Sequence, residues 1–152
     1  MSDAREGLKR LHSKAKSAGL THRAQLASRA ESAYNAYRKH VQNVEFQTAP
    51  DDLLCQAHLV GIVNEIAQAG DTVVGASGTL PDTTNKMWDT NQGSRVILEF
   101  GFSCMGFEIP AGIGIRMTQP EGEVYVLIGD GAYLMNPTEL VTAVQNGLKI
   151  TV

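Results

Sequence analysis

GEVYVLIGDGAYLMNPTELVTAVQNGLKITV, residues 122–152, is the stretch that decides the fold. It opens on a short apolar run, turns at Gly129-Asp130-Gly131, passes through a segment with helical spacing and ends in a second apolar run. That succession is the strand–helix–strand unit of a parallel sheet. Ligands of such sheets bind beyond the carboxyl ends of the strands, and here that position holds one carboxylate between two glycines. Asp130 is therefore a candidate magnesium ligand. A lone carboxylate suffices only with a diphosphate beside it, because Mg2+ takes about six oxygens and shares them among carboxylates, water and phosphates. Gly-Asp-Gly on its own is more often a tight turn than a metal site. Downstream, Asn136 reads as the N-cap of a helix, with Pro137 in its first position and Glu139 completing a capping box.

Working outward, residues 72–76, 96–100 and 124–128 read as strands, and residues 148–152 as a fourth. Each is nearly continuous in apolar residues, as expected where helices cover both faces of a sheet. The intervening segments 81–89, 106–118 and 137–146 are long enough for crossover helices. The expected fold is a doubly wound α/β domain over residues 50–152. Its first helix is capped by Asp51 or Asp52, carries Leu53, Ala57, Val60, Val63 and Ala67 on one side, and ends at Gly70. Gly112 and Gly114 are read as allowing a helix to pack closely on the sheet.

Residues 1–49 read as a helical arm or inter-domain linker. Leu26, Ala30, Ala33, Tyr37, Val41 and Val44 step by three and four along one stripe, and Gly19, Leu20 and Thr21 mark a break between two helices. The arm is basic: residues 1–43 hold nine Lys or Arg against three Asp or Glu, a net +6, while the rest of the chain nets −9. Clustered cations can bind a phosphate backbone, but a solvated helix face accounts for this charge without a nucleic-acid partner, and no binding motif accompanies it. No apolar run is long enough to cross a bilayer, and none follows the charged N-terminus as in a secretory leader; a cytoplasmic location is expected. Cys55 and Cys104 lack any metal-ligand spacing and read as reduced thiols. His12, His22, His40 and His58 form no close pair and read as surface or satisfied helix residues.

The neighbourhood of Asp130 is more specific than the tripeptide. Residues 122–152 resemble the first part of the diphosphate-binding motif of thiamine-diphosphate-dependent enzymes, in which Gly-Asp-Gly opens a segment closed by an asparagine. Upstream, LEFGFSCMGFEIPAGIGIRM, residues 98–117, is similar to that family's Met-Gly-Phe-x-x-Pro-Ala-x-x-Gly stretch. With ASGTLPD and KMWD added, the pattern narrows toward the branch that hydrolyses a cyclic 1,2-diketone, trihydroxycyclohexane-1,2-dione, to 5-deoxy-glucuronate in myo-inositol catabolism.

The resemblance implies thiamine diphosphate and Mg2+ as cofactors. Asp130 would be the metal ligand, with Gly129 and Gly131 giving the diphosphate backbone room. Met105 would be the apolar wedge that bends the cofactor, and the backbone carbonyl of Ser103 would accept a hydrogen bond from its aminopyrimidine. Ser77, Gly78 and Thr79 would neighbour the diphosphate. Each has a plainer reading: a lone Met is usually core filler, and Glu99 and Glu108 are as well explained as a strand-end acid and a salt-bridged helix residue as by substrate contact. Cys104 has no His near it in sequence and is read as a packed small residue, not a nucleophile. No catalytic residue is assigned, since the family's activating glutamate belongs to another domain, usually of a partner subunit, and a homo-oligomer is implied. The family's closing asparagine would fall a few residues beyond Val152, so the chain is expected to be an incomplete cofactor domain without independent catalysis. The alternatives are a fragment of an acetolactate synthase-like carboligase or 2-oxo acid decarboxylase, and a non-enzymatic binding module that uses the basic arm.

Overall fold

The structure, a computed structural model, describes residues 4–18, 23–45 and 54–152. It divides into two compact units, Met1–His40 and Val41–Val152. The arm contains two helices, α1 (Ala4–Ser17) and α2 (Arg23–Glu45). The expected break at Gly19, Leu20 and Thr21 lies outside the described residues, as do Pro50, Asp51, Asp52 and Leu53. Of the apolar stripe on α2, Ala30, Ala33 and Tyr37 are exposed.

The second unit is a three-layer α/β arrangement. In chain order it runs α3 (Gln56–Ile66), β1 (Thr72–Gly75), α4 (Leu80–Met87), β2 (Arg95–Leu98), α5 (Glu108–Thr118), β3 (Val124–Val126), α6 (Asp130–Met135) and α7 (Glu139–Gln145). The strands form one parallel sheet in the order β2-β1-β3, with Val73 of β1 opposite Val96 on one side and Tyr125 on the other. All four residues of β1 are buried, and successive ones point to opposite faces. Val73 joins a core with Ala57, Val60, Met87 and Trp88; Val74 joins another with Ile109, Ile113, Val126 and Ala143. Two cores on the two faces of one parallel sheet make the domain doubly wound, as its sequence implied.

Specific contacts fix the layers. On α5 a Cβ at Gly112 would sit 2.6 Å from Val126 Cγ2, so only glycine lets the helix approach β3 this closely, whereas Gly114 faces open space and has no such role. On the other face Trp88 is buried at the end of α4, and its Nε1 donates to Ser94 Oγ at 3.0 Å.

Several boundaries depart from expectation for physical reasons. β2 ends at Leu98, before Glu99 and Phe100, and as an edge strand it leaves Arg95 and Ile97 exposed instead of being covered on both faces. The fourth apolar run contributes one parallel bridge, Tyr125 with Thr151, through Val126 N–H to the Thr151 carbonyl (2.7 Å) and Thr151 N–H to the Val124 carbonyl (2.9 Å). α3 has Cys55 at its N-cap without a side-chain cap and stops at Ile66, short of Gly70. The largest difference follows Gly129. A helix forms at once, α6, and Asn136 is its C-terminal cap, not the N-cap of the next helix. Proline explains this: Pro137 disfavours helical backbone in the residue before it, and Asn136 accordingly adopts φ −149°, ψ 46°. The expected capping box is absent as well. α7 starts after Thr138 with no side-chain cap, and the Glu139 N–H donates to the Asn136 carbonyl at 3.4 Å.

Candidate cofactor site

Because the strands are parallel, the loops after β1, β2 and β3 all leave from the same edge of the sheet. The order β2-β1-β3 sends the chain to one side of β1 and then to the other, so the switch point lies between β1 and β3. Crevices at such points are where open α/β sheets take ligands. The residues singled out from sequence sit on these three loops.

After β1, Ser77 is buried and fully engaged: its backbone N–H and its hydroxyl both donate to Glu108 Oε1, each at 3.1 Å. Gly78 has φ +76° and faces open space. The Thr79 hydroxyl donates to Gln56 Oε1 (2.9 Å), and Gln56 Nε2 donates to Thr83 Oγ1 (2.6 Å), which ties the start of α4 to the start of α3.

After β2 the chain wraps around a carboxylate. Glu99 Oε1 accepts the Phe102 N–H at 2.8 Å and Oε2 accepts the Cys104 N–H at 2.9 Å. These bonds, Phe102's first and Cys104's next, hold the Glu99 carboxyl below its ordinary range, with desolvation opposing them. Inside this wrap Ser103 takes φ +51°, uncommon for a residue with a side chain, and its hydroxyl donates to the Ala76 carbonyl at 3.2 Å. The Ser103 carbonyl accepts no hydrogen bond among the described residues. Met105 is 49% exposed, so it is not core filler. Gly106, at φ +88°, donates its N–H to Glu108 Oε2 at 3.0 Å, and a Cβ there would stand 3.0 Å from Met135 Cβ. Only a residue without a side chain holds this turn against α6.

After β3, Gly129 is extended and its carbonyl accepts the Tyr133 N–H at 2.8 Å, so α6 begins directly at Asp130. Asp130 is exposed, with Oδ1 accepting the N–H of Gly131 at 2.8 Å. A Cβ on Gly131 would lie 3.2 Å from Met105 Cε, while Gly129 meets nothing within 4 Å. Met105 and the Gly-Asp-Gly turn are thus neighbours, although 25 residues separate them in sequence.

The side chains suit a magnesium diphosphate. Among the described residues no group of three or more His, Cys, Asp or Glu could enclose a metal by itself, so a cation here would have Asp130 as its protein carboxylate and complete its shell from phosphate, water and further ligands. Open space over Gly78 and Gly129 leaves backbone accessible on both sides of the switch point. Met105 offers an apolar contact beside them.

Sequence reading left Glu108 undecided and missed Gln56. Glu108 is fully buried and forms no salt bridge among the described residues; its hydrogen bonds there go to the loops after β1 and β2. The available signal was an acid at the head of an otherwise apolar helix, EIPAGIGI. Cys104 is exposed and Cys55 partly so, both as free thiols, and His12 and His40 are exposed. No helix among the described residues is long and apolar enough to cross a membrane.

Residues 76–152 match the family described as thiamine pyrophosphate enzyme, C-terminal TPP binding domain. Over 108 residues, 71% of the chain, the sequence is 41% identical to the 3D-(3,5/4)-trihydroxycyclohexane-1,2-dione hydrolase of Clostridium botulinum. Over the same length it is 40% identical to the proteins of that name from Clostridium tetani and Geobacillus thermodenitrificans. The match takes in 17% of each relative's length.

Proposed function

Because the chain belongs to the thiamine pyrophosphate enzymes, we propose that it provides the diphosphate- and magnesium-binding edge of a hydrolase that opens trihydroxycyclohexane-1,2-dione to 5-deoxy-glucuronate in myo-inositol catabolism. The observation that carries this reading is the convergence of Met105 on the Gly129-Asp130-Gly131 turn. In it, Asp130 holds Mg2+, and Gly129 and Gly131 let the diphosphate approach the backbone. Gly78 and Thr79 face the phosphates from the β1 side, with Ser77 behind them. Met105 packs against the cofactor's rings, and the unpaired carbonyl of Ser103 accepts from its amino group. When bound, thiamine diphosphate supplies the carbanionic carbon that attacks a carbonyl and lets the adjacent carbon–carbon bond break; the chain's own residues hold and orient it.

The activating glutamate belongs, on this reading, to a different domain, consistent with a match to 17% of each relative's length. The domain boundary at residue 50 and a cytoplasmic location belong to the same proposal. So does a homo-oligomer: Phe102, Leu134 and Met135, 91%, 72% and 63% exposed, flank the site and would be covered by a second subunit.

A chimera tests the reaction. The matching segment of the Clostridium botulinum hydrolase is replaced by this chain's residues, and the product is assayed on the cyclic dione and on pyruvate. Ring opening that requires thiamine diphosphate and magnesium and is lost on Asp130→Ala is the expected result. Turnover of pyruvate in place of the dione would favour a carboligase or decarboxylase, and a well-folded chimera that binds no cofactor would end the proposal.

A further inference from the structure

Glu108 has a role in this site that its position in the sequence does not suggest. Its side chain is completely buried, yet no Lys, Arg or His forms an ion pair with it among the described residues. Three donors compensate it instead: Ser77 N–H and Ser77 Oγ–H on Oε1, and Gly106 N–H on Oε2. Both oxygens act purely as acceptors, which suits a carboxylate and no amide. The two groups it joins belong to loops that leave adjacent strands, and each loop continues into proposed cofactor contacts: Ser77 into Gly78 and Thr79, Gly106 back into Met105 and Ser103.

The bridge also settles which donors remain. Ser77 has both of its hydrogens committed to Glu108 and cannot donate to a ligand. The N–H groups of Gly78 and Thr79 have no hydrogen-bond partner among the described residues. They follow in succession, Gly78 with φ +76° and Thr79 in right-handed helical backbone, the alternation of hand that makes consecutive N–H groups line an anion-binding concavity.

We propose that Glu108 is the positioning residue for the anionic end of the cofactor: its buried carboxylate ties Ser77 to Gly106, fixing the Gly78-Thr79 donors against the Met105 loop while touching no ligand itself. This rests on the cofactor site proposed above. Replacing Glu108 by Gln keeps shape and volume, but the amide has one acceptor oxygen. Either the Ser77 pair or the Gly106 N–H then faces an NH2 group.

The test uses the full chain, with magnesium thiamine diphosphate as the probe in titration calorimetry and amide hydrogen exchange as a second readout. In the wild type, the amides of Ser77 and Gly106 are protected before cofactor is added, and cofactor adds protection at Gly78 and Thr79. In Glu108→Gln, affinity falls about tenfold, the scale of one lost charge-assisted hydrogen bond, with the far-ultraviolet circular dichroism unchanged. Glu108→Asp, which retains two acceptor oxygens, recovers part of that affinity. Wild-type binding with undiminished affinity in Glu108→Gln overturns the proposal and leaves the site reading intact. A Ser77 amide that exchanges freely until cofactor arrives overturns it from the wild type alone, even if the variants do not fold. Absence of binding by a folded wild-type chain overturns the site reading itself, and this inference with it.

Discussion

The two edges of the sheet are built from similar parts and end in opposite states. At the amino edge, buried Asp71 accepts the Gln68 N–H on Oδ2 (2.8 Å) and the Glu123 N–H on Oδ1 (2.7 Å), and its carbonyl accepts from Arg95. Nearby, Arg116 donates to the carbonyls of Lys149, Gln119 and Pro120, and Gly122 is so close to Gly70 that a Cβ would come within 2.6 Å of its carbonyl oxygen. The carboxyl edge also uses acids, Glu99 and Glu108, to gather backbone N–H groups. There, however, Gly78, Thr79, Asp130 and Met105 are left facing outward. Carboxylates thus serve as loop fasteners at both edges, and on the proposed reading function lies in what the fastening at the carboxyl edge leaves open.

If that division is right, damage to the amino edge appears as stability and damage to the carboxyl edge as binding. The largest effect is expected from Asp71→Ala, which takes the carboxylate acceptor from the partly buried Gln68 and Glu123 N–H bonds; a loss of about 3 kcal/mol is expected by urea denaturation. An equal loss of cofactor affinity in the fraction still folded would erase the distinction. Asp130→Ala should do the reverse. Its carboxylate is exposed, so stability should stay within about 0.5 kcal/mol, while magnesium-dependent binding of thiamine diphosphate weakens roughly tenfold or more by calorimetry. Met105→Ala is smaller again: a half-exposed side chain costs under about 1 kcal/mol of stability, and affinity should fall a few-fold through lost apolar contact.

The most local effect concerns Glu99. Its carboxyl is held below the ordinary range by the Phe102 and Cys104 amides, so its contribution to the loop is present above the pKa of the unfolded chain and is lost as pH falls through the lower folded value. Protection factors at Phe102 and Cys104 should therefore collapse on acidification below the usual carboxylate range. In Glu99→Gln, whose amide keeps one acceptor oxygen, at least one of the two should be low at every pH. A wild-type loop whose protection ignores pH would show that Glu99 does not fasten it.

What could be read from the sequence follows from how local each cause is. Asp130 between two glycines, and Met105 before Gly106, sit within short stretches whose order matches a known motif; the structure brings the two stretches together, and the roles proposed for them come from the motif. β1 was legible because all of it is buried. Glu108 was not, because its meaning depends on Ser77, 31 residues away, and on burial that no spacing reveals. The helix after Gly129 was misread for an instructive reason: Asn136-Pro137 suits a helix start as well as a helix stop, and only the hydrogen bond from Tyr133 back to Gly129 decides between them. The run at residues 148–152 has a strand's composition, but pairing is a property of two segments, and only Thr151 completes a bridge.

Trp88 is the single tryptophan in the chain, and it lies buried with its indole N–H on Ser94. Its fluorescence therefore belongs to the α/β unit alone. A blue emission maximum that moves red in denaturant follows that unit's melting, while far-ultraviolet ellipticity also counts the two helices of the arm. Noncoincident curves from the two signals would let the arm's stability be measured separately, in one sample and without a label.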